Sequence, residues 1–179
     1  AATPEMVEIA LRHLPHAACL VPERREERTT EGGLDVAGQE AAIFPFISEL
    51  AAAGIRVSLF IEASERQIEA AARSEAAVVE LHTGAYCDQW LEGDPAATER
   101  ELEKLRRGAE LASEAGLEVH AGHGLTFDTV APVAAMPQIM ELNIGHFLVG
   151  EAIFGGLDSA IRRMRMLMDR ARDDQRVAS

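Results

Sequence analysis

The 179-residue sequence predicts an α/β fold of repeated βα units around a parallel sheet. Short apolar runs alternate with helical patterns along the whole chain. Ala53-Gly54-Ile55-Arg56-Val57 recurs 62 residues later as Ala115-Gly116-Leu117-Glu118-Val119. Each copy reads as a helix ending on a left-handed glycine that hands the chain to a strand, and two βα units of about 30 residues fill the interval. Finally, Ala121-Gly122-His123-Gly124-Leu125 and Asn143-Ile144-Gly145-His146 both set a histidine beside glycine just after a buried-strand pattern. In a parallel sheet those strand ends form one polar floor, where α/β folds keep their chemistry.

Taken in order, Thr3-Pro4 is an N-cap with proline at the first helical position, and Met6, Val7, Ala10, Leu11 and Leu14 form an apolar stripe. Residues 17–21 are an apolar run ended by Pro22-Glu23, hence a strand. Residues 23–38 are polar and contain Thr29-Thr30-Glu31-Gly32-Gly33, which fits a mobile loop over a site. A helix over 39–53 follows, with Pro45 expected to bend or restart it. Residues 57–61 read as a strand and Ser64-Glu65-Arg66-Gln67 as a capping box opening a helix. Residues 77–81 are the next strand, and Asp94-Pro95 caps a long helix to Ala115. After a strand at 119–121 come a short helix near 128–135 and a last strand at 141–144. A short extra helix over 147–154 ends at Gly155-Gly156, and a final helix sets Leu157, Ile161, Met164, Leu167, Met168 and Ala171 on one face.

A short helix after the last strand is what a TIM (β/α)8 barrel uses, with its last two loops, to build a phosphate site. Five strands cannot close that barrel, so the alternatives are a small open sheet or a barrel lacking three βα units at its start. The second is favoured: an N-terminally incomplete TIM barrel of about the last five βα units. With no linker, low-complexity segment or charge block in the sequence, residues 1–179 read as a single domain.

Hydrophobic residues make up 47 % and mean hydropathy is −0.03, as in a soluble globular protein. No apolar run reaches the roughly 18 residues of a membrane span, and no signal-peptide pattern is present. A net charge of −13 and a pI near 4.8 argue against nucleic acid or an anionic membrane as partner. An anionic substrate would then be held locally, by glycine-rich loops and helix N-termini. Cys19 and Cys87 lack metal-ligand spacing; Cys19 in its apolar run reads as a buried reduced thiol, and a cytoplasmic location follows.

His123, between two glycines at a strand end, is the first candidate for a general acid or base, against a loop histidine merely held by hydrogen bonds. The same argument reaches His146, whose neighbour Gly145 suits phosphate binding through its backbone N–H. Glu80 interrupts the apolar strand Val78-Val79-Glu80-Leu81-His82. A buried carboxylate is costly unless paired or needed, and the bland alternative is a cross-sheet lysine or arginine partner. His82 shares its face by alternation. The Thr29–Gly33 stretch is either a lid on substrate or a solvated loop, and Arg24, Arg25 and Arg28 read as a solvated charge cluster. Tyr86, Cys87 and Trp90 follow a strand end without forming a constellation. His13 and His16 read as surface or C-capping residues, and His120 as either a floor group or a core histidine with satisfied nitrogens. No histidine set has a metal-ligand pattern, and no GxGxxG, P-loop or nucleophile elbow is present.

Six motifs in order then become recognisable: A-A-C-L-V-P-E-R-R (17–25), T-T-E-G-G-L-D-V-A-G (29–38), V-S-L-F-I (57–61), E-L-H-T-G (80–84), A-G-H-G-L-T (121–126) and E-L-N-I-G-H (141–146). With these the chain closely resembles the pyridoxine 5′-phosphate synthase family, end to end but over only the later part of that family's barrel. The resemblance implies a cytoplasmic TIM-barrel homo-octamer that condenses 3-amino-2-oxopropyl phosphate with 1-deoxy-D-xylulose 5-phosphate. The products would be pyridoxine 5′-phosphate, inorganic phosphate and water, with no metal or organic cofactor. It implies His123 as a catalytic proton donor and Glu80 as stabiliser of the transition state. Gly124, Gly145 and His146 would hold the aminoketone phosphate, and Thr29 would contact the deoxyxylulose phosphate. His120 departs from the family, which more often has asparagine there. The family's other catalytic histidine and glutamate, on its second and third strands, have no counterpart in this sequence. The other readings are a different phosphate-binding barrel enzyme and a non-catalytic phosphate-binding remnant.

Overall fold

The computed structural model describes residues 1–23 and 32–178. Among them the chain runs α1 (Pro4–His13), β1 (Ala17–Leu20), α2 (Glu40–Ala52), β2 (Arg56–Ile61), α3 (Glu65–Arg73), β3 (Val78–His82), α4 (Gly84–Glu92), α5 (Pro95–Glu114), β4 (Glu118–Gly122), α6 (Val130–Ala134), β5 (Ile139–Asn143), α7 (His146–Gly155) and α8 (Leu157–Ala178). The strands form one sheet in the order β1-β2-β3-β4-β5, every neighbouring pair parallel. Sequential order with parallel pairing is the connectivity of a (β/α)8 barrel wall, here an open arc of five strands. Both expected glycine hand-offs occur, with Gly54 at φ 78 and Gly116 at φ 83 before β2 and β4.

Alternation gives the sheet two unlike faces. Val57, Leu59, Ile61, Val79, Leu81, Val119 and Ala121 point one way, and all are buried beneath the helices. A second cluster, built on Phe127, Val130, Ala134, Ala160 and Met164, joins α6 and α8. The opposite face carries Arg56, Ser58, Phe60, Glu80, His82, Glu118 and His120, on strands whose register aligns Phe60 with Glu80 and Glu80 with His120. β4 and β5 slip by one residue, so that Val119 pairs with Ile139 but His120 with Glu141. Met140, between them, is left unpaired and 69 % exposed. The slip turns Glu141 and Asn143 onto the polar face.

Several local expectations need correction. Pro45 does not restart α2, which runs unbroken from Glu40 to Ala52. Burial of Ile43, Ile47 and Leu50 holds the helix through the lost N–H donor. Cys19 is a free thiol as expected but is exposed, because it faces the uncovered side of β1. Leu157 and Ile161 are also exposed, since the stripe of α8 that packs is Ala160, Met164, Leu167, Met168 and Ala171. The capping box at α3 is half made. Ser64 Oγ accepts from the Gln67 N–H at 3.4 Å, but the Gln67 side chain does not return the bond.

Gln67 is instead buried and reaches the segment before α2. Its Oε1 accepts from the Ala37 N–H at 3.1 Å and its Nε2 donates to Asp35 Oδ1 at 2.6 Å. Beside this clamp the Leu34 N–H donates to Phe60 O at 2.7 Å. Gly33 passes so close to β2 that a Cβ there would lie 2.5 Å from the Glu62 nitrogen. The stretch after residue 31 is thereby fastened to the C-terminal end of β2.

At the other end of the polar face Arg56 meets Glu118 through two contacts, at 2.7 and 3.0 Å. Arg56 first, then His120, holds the Glu118 carboxyl down at about 2.

Gln67→Leu should destabilise the protein by about 1–3 kcal/mol in urea unfolding, because the partly buried Ala37 N–H loses its acceptor. Glu118→Gln should cost less, since both partners of that pair are about a third exposed and screened by solvent. A depressed carboxyl stabilises above its ordinary value near 4.5 and stops doing so as pH falls through about 2. The stability gap between Glu118→Gln and the unsubstituted protein should therefore close over that interval; a constant gap would rule the ion pair out as its cause.

Candidate active site

A cleft of about 850 Å³ opens at the C-terminal ends of the strands, and Glu80, His82, His123, Gly124, Gly145 and His146 line it. Five of the six sequence candidates thus meet in one place. The sixth, Thr29, lies outside the described residues, as do Arg24, Arg25 and Arg28. Gly32 of the same glycine-rich stretch does reach the cleft wall.

Glu80 is half-buried on the third strand. Asn143 Nδ2 donates to its Oε2 at 2.9 Å, and the Cys19 thiol lies 3.9 Å from the same oxygen. Among the described residues the Glu80 carboxylate meets no lysine or arginine, so the cross-sheet ion pair is not what holds it. Burial pushes the Glu80 carboxyl above the ordinary value, opposed by the Asn143 hydrogen bond and by His120. Although Cys19 lies on the uncovered side of the sheet, its thiol beside Glu80 is partly desolvated, and that desolvation, followed by the Glu80 charge, pushes it up to about 11. The thiol stays protonated at neutral pH and acts toward Glu80 as a weak donor. Gly122 is required by the close packing of β4 on β5: a Cβ there would lie 2.8 Å from the Asn143 carbonyl oxygen as well as 2.5 Å from Glu80 Oε1.

His123 stands just past β4 in a conformation that non-glycine residues rarely adopt, with φ 77, followed by Gly124 at φ 88. This turn lifts the imidazole out of the sheet into the cleft. Thr83, fully buried, holds it in place. Its hydroxyl lies 2.8 Å from Gly122 O and 2.5 Å from His123 O, and its N–H donates to Gly122 O at 2.9 Å. Gly124 in turn rests on Cys87, where a Cβ would come 3.1 Å from the cysteine's own. Tyr86 O–H donates to Thr129 O at 3.1 Å and braces the following segment. Tyr86 and Cys87, which showed no constellation in the sequence, are therefore part of the scaffold of the His123 turn, whereas Trp90 is 42 % exposed.

His146 is the first residue of α7 and Gly145 its N-cap, with no side chain capping the helix. The first intrahelical bond of this turn is Val149 N–H to Gly145 O, so the amides of His146, Phe147 and Leu148 carry no helical partner. Among the described residues no atom lies within 4 Å of where a Gly145 Cβ would be, which leaves that approach open on their side. His120 lies below the cleft on the polar face, its Nε2 2.8 Å from Glu118 Oε1 and its Nδ1 3.7 Å from Glu141 Oε1. Its nitrogens are engaged by carboxylates, although the face is not the helix-covered core. Among the described residues no group of three histidine, cysteine or acidic side chains is placed to hold a metal ion.

Asn143, Thr83 and Phe60 were not singled out by sequence reasoning. A threonine or asparagine at a strand end is a common residue there; only the register that aligns His82 with Gly122 and Gly122 with Asn143 brings them to His123 and Glu80. Thr83→Val keeps the shape and removes the hydroxyl. It should lower stability by about 1–3 kcal/mol in urea unfolding, because the His123 carbonyl loses its hydroxyl donor while Gly122 O keeps the backbone N–H of residue 83.

Comparison with known proteins agrees with this geometry. The family model described as pyridoxal phosphate biosynthesis protein PdxJ matches residues 1–170. A protein of Jannaschia sp. (strain CCS1) called pyridoxine 5′-phosphate synthase is 66 % identical over 172 residues, covering 96 % of this chain and 69 % of the relative. Proteins of the same name are 66 % identical over 173 residues in Cereibacter sphaeroides (strain ATCC 17029 / ATH 2.4.9) and 58 % identical over 177 in Zymomonas mobilis subsp. mobilis. These alignments cover 97 % and 99 % of this chain, and 69 % and 68 % of the respective relatives. With the parallel arc and its C-terminal cleft already in view, the chain belongs to the PdxJ family of enzymes of vitamin B6 biosynthesis.

Proposed function

We propose that the protein condenses 3-amino-2-oxopropyl phosphate with 1-deoxy-D-xylulose 5-phosphate, giving pyridoxine 5′-phosphate, inorganic phosphate and water. The observation that carries this reading is the convergence of Glu80, His123 and the open N-terminus of α7 on one cleft. Forming an imine, expelling phosphate, closing the ring and losing water all move protons between neighbouring carbons and oxygens. His123 is the proton donor, at the cleft surface on its lifted turn. Glu80, whose proton affinity is raised by burial, stabilises charge as it develops in the transition state, with Asn143 fixing the carboxylate.

The unpartnered amides at the start of α7 suit a phosphate, since N–H groups and helix dipole favour negative charge there. In this reading Gly145, His146 and Gly124 hold the aminoketone phosphate, and Thr29 contacts the deoxyxylulose phosphate. A local anion site of this kind suits a protein whose net charge is −13. The proton transfers are assigned to side chains, so the proposal calls for no metal or organic cofactor.

The same reading takes the protein as a cytoplasmic homo-octamer with residues 1–179 in one domain. Val149, Ile153 and Phe154 of α7 are mostly exposed, the last to 90 %, which supports association through that helix. Among the described residues no helix is long and apolar enough to cross a membrane.

Incubation of the purified protein with both substrates should yield pyridoxine 5′-phosphate, identified by mass. His123→Ala should lower kcat by about 10²–10⁴-fold. A different product would point to another phosphate-binding enzyme, and substrate binding in calorimetry without any product to a non-catalytic role. Near-normal turnover in His123→Ala would remove His123 from the mechanism.

A further inference from the structure

His123 is the proposed proton donor, yet among the described residues neither of its ring nitrogens has a hydrogen-bond partner. A donor of this kind usually owes its orientation to a bond at the ring edge. Here a ring face takes that place. The imidazoles of His82 and His123 are stacked, with centroids 4.8 Å apart and planes 30° from parallel. His82 is itself held edge-on by Phe60, at 5.1 Å and 79°, and Phe60 also lies 6.1 Å from the His123 ring. Gly84 completes the arrangement. A Cβ at that position would come 2.5 Å from His82 Cε1 and 3.3 Å from His123 Cδ2.

We propose that His82 is a positioning residue for His123, acting through the face of its ring. This inference rests on the synthase reading above for the identity of the reaction, but not for the geometry. The Thr83 hydroxyl fixes the backbone of the turn and leaves the side-chain torsions of His123 undetermined. Stacking on His82 fixes the plane of the imidazole. Contact through the π face leaves both nitrogens, which lie in the ring plane, available to a substrate. The stretch His82-Thr83-Gly84 thus acts as a seat: one residue for the ring, one for the backbone, one for the space between them.

The test compares His82→Leu with His82→Phe, which keeps a flat ring and loses both nitrogens. Steady-state rates with the two phosphorylated substrates come first. His82→Leu should lower kcat by about 10- to 100-fold with KM for both substrates little changed. His82→Phe should recover most of that loss. Equal loss in both variants would overturn the proposal, because the nitrogens and not the ring face would then matter. Undiminished kcat in His82→Leu would overturn it as well. Should the leucine variant fail to fold, the phenylalanine variant still decides: near-normal kcat supports the proposal and a severe loss overturns it.

A second readout does not depend on the reaction. In histidine-labelled protein, the His123 ring protons should lose their ring-current displacement in His82→Leu and keep most of it in His82→Phe. Unchanged His123 resonances in His82→Leu would overturn the stacking. Failure of the unsubstituted protein to make pyridoxine 5′-phosphate would sink the synthase reading, and the resonances would still decide whether His82 orients His123.

Discussion

Side chains in a β-strand alternate between two faces, and in this sheet the helices cover one of them. Most of the apolar side chains on the strands lie on the covered side, where Leu59, Ile61, Val79, Leu81 and Val119 are within about a percent of complete burial. Whatever charge the strands carry must then appear on the other face. Arg56, Glu80, Glu118, His120 and Glu141 do so, and they neutralise one another in part: arginine against glutamate, histidine between two carboxylates. Glu80 is set apart from this group. Burial raises its proton affinity, and its amide and thiol partners offset that less than an arginine would, whereas its neighbour Glu118 is driven to a low one by Arg56 and His120. Two glutamates on adjacent strands of one face therefore differ in chemistry because of what lies beside them.

The His123 turn shows how the fold supports an unfavourable backbone. A left-handed histidine persists only when its surroundings over-determine it. Thr83 binds two consecutive carbonyls, Cys87 closes the space behind Gly124, and the strand register places Gly122 opposite Asn143. These supports come from three separate βα units. The site is thus a property of the sheet as a whole, and none of its loops would hold the geometry alone.

Much of the architecture was legible in the chain. The repeated alanine-glycine hand-off announced two strands, and Asp94 does cap α5, accepting from the amides of Ala96 and Ala97. His123 and Glu80 stood out because a glycine-flanked histidine and a carboxylate in an apolar strand both resist a packing explanation. What stayed hidden depends on contacts distant in sequence. Ser64-Glu65-Arg66-Gln67 has a capping-box spelling, but the buried Gln67 amide found better partners at Asp35 and Ala37. Cys19 looked buried because its neighbours are apolar, whereas exposure follows from which face of β1 it occupies. Leu157 and Ile161 matched a helical stripe that the packing of α8 rotated away from them.

The one-residue slip between β4 and β5 has a consequence for how the chain tolerates change in length. Met140 is mostly exposed and pairs with nothing, the profile of a residue that could be lost without harm. Taking it out would let Glu141 follow Ile139 directly, so that the two would meet His120 and Val119 in ordinary register. Leu142 would stay on the helix side, and Asn143 would keep its place opposite Gly122 and beside Glu80. A second loss before Asn143 would find no spare residue to absorb it, and Glu80 would exchange its amide partner for a hydrocarbon. The bulge is therefore one residue of slack: this strand can shorten once without inverting its faces, and not twice.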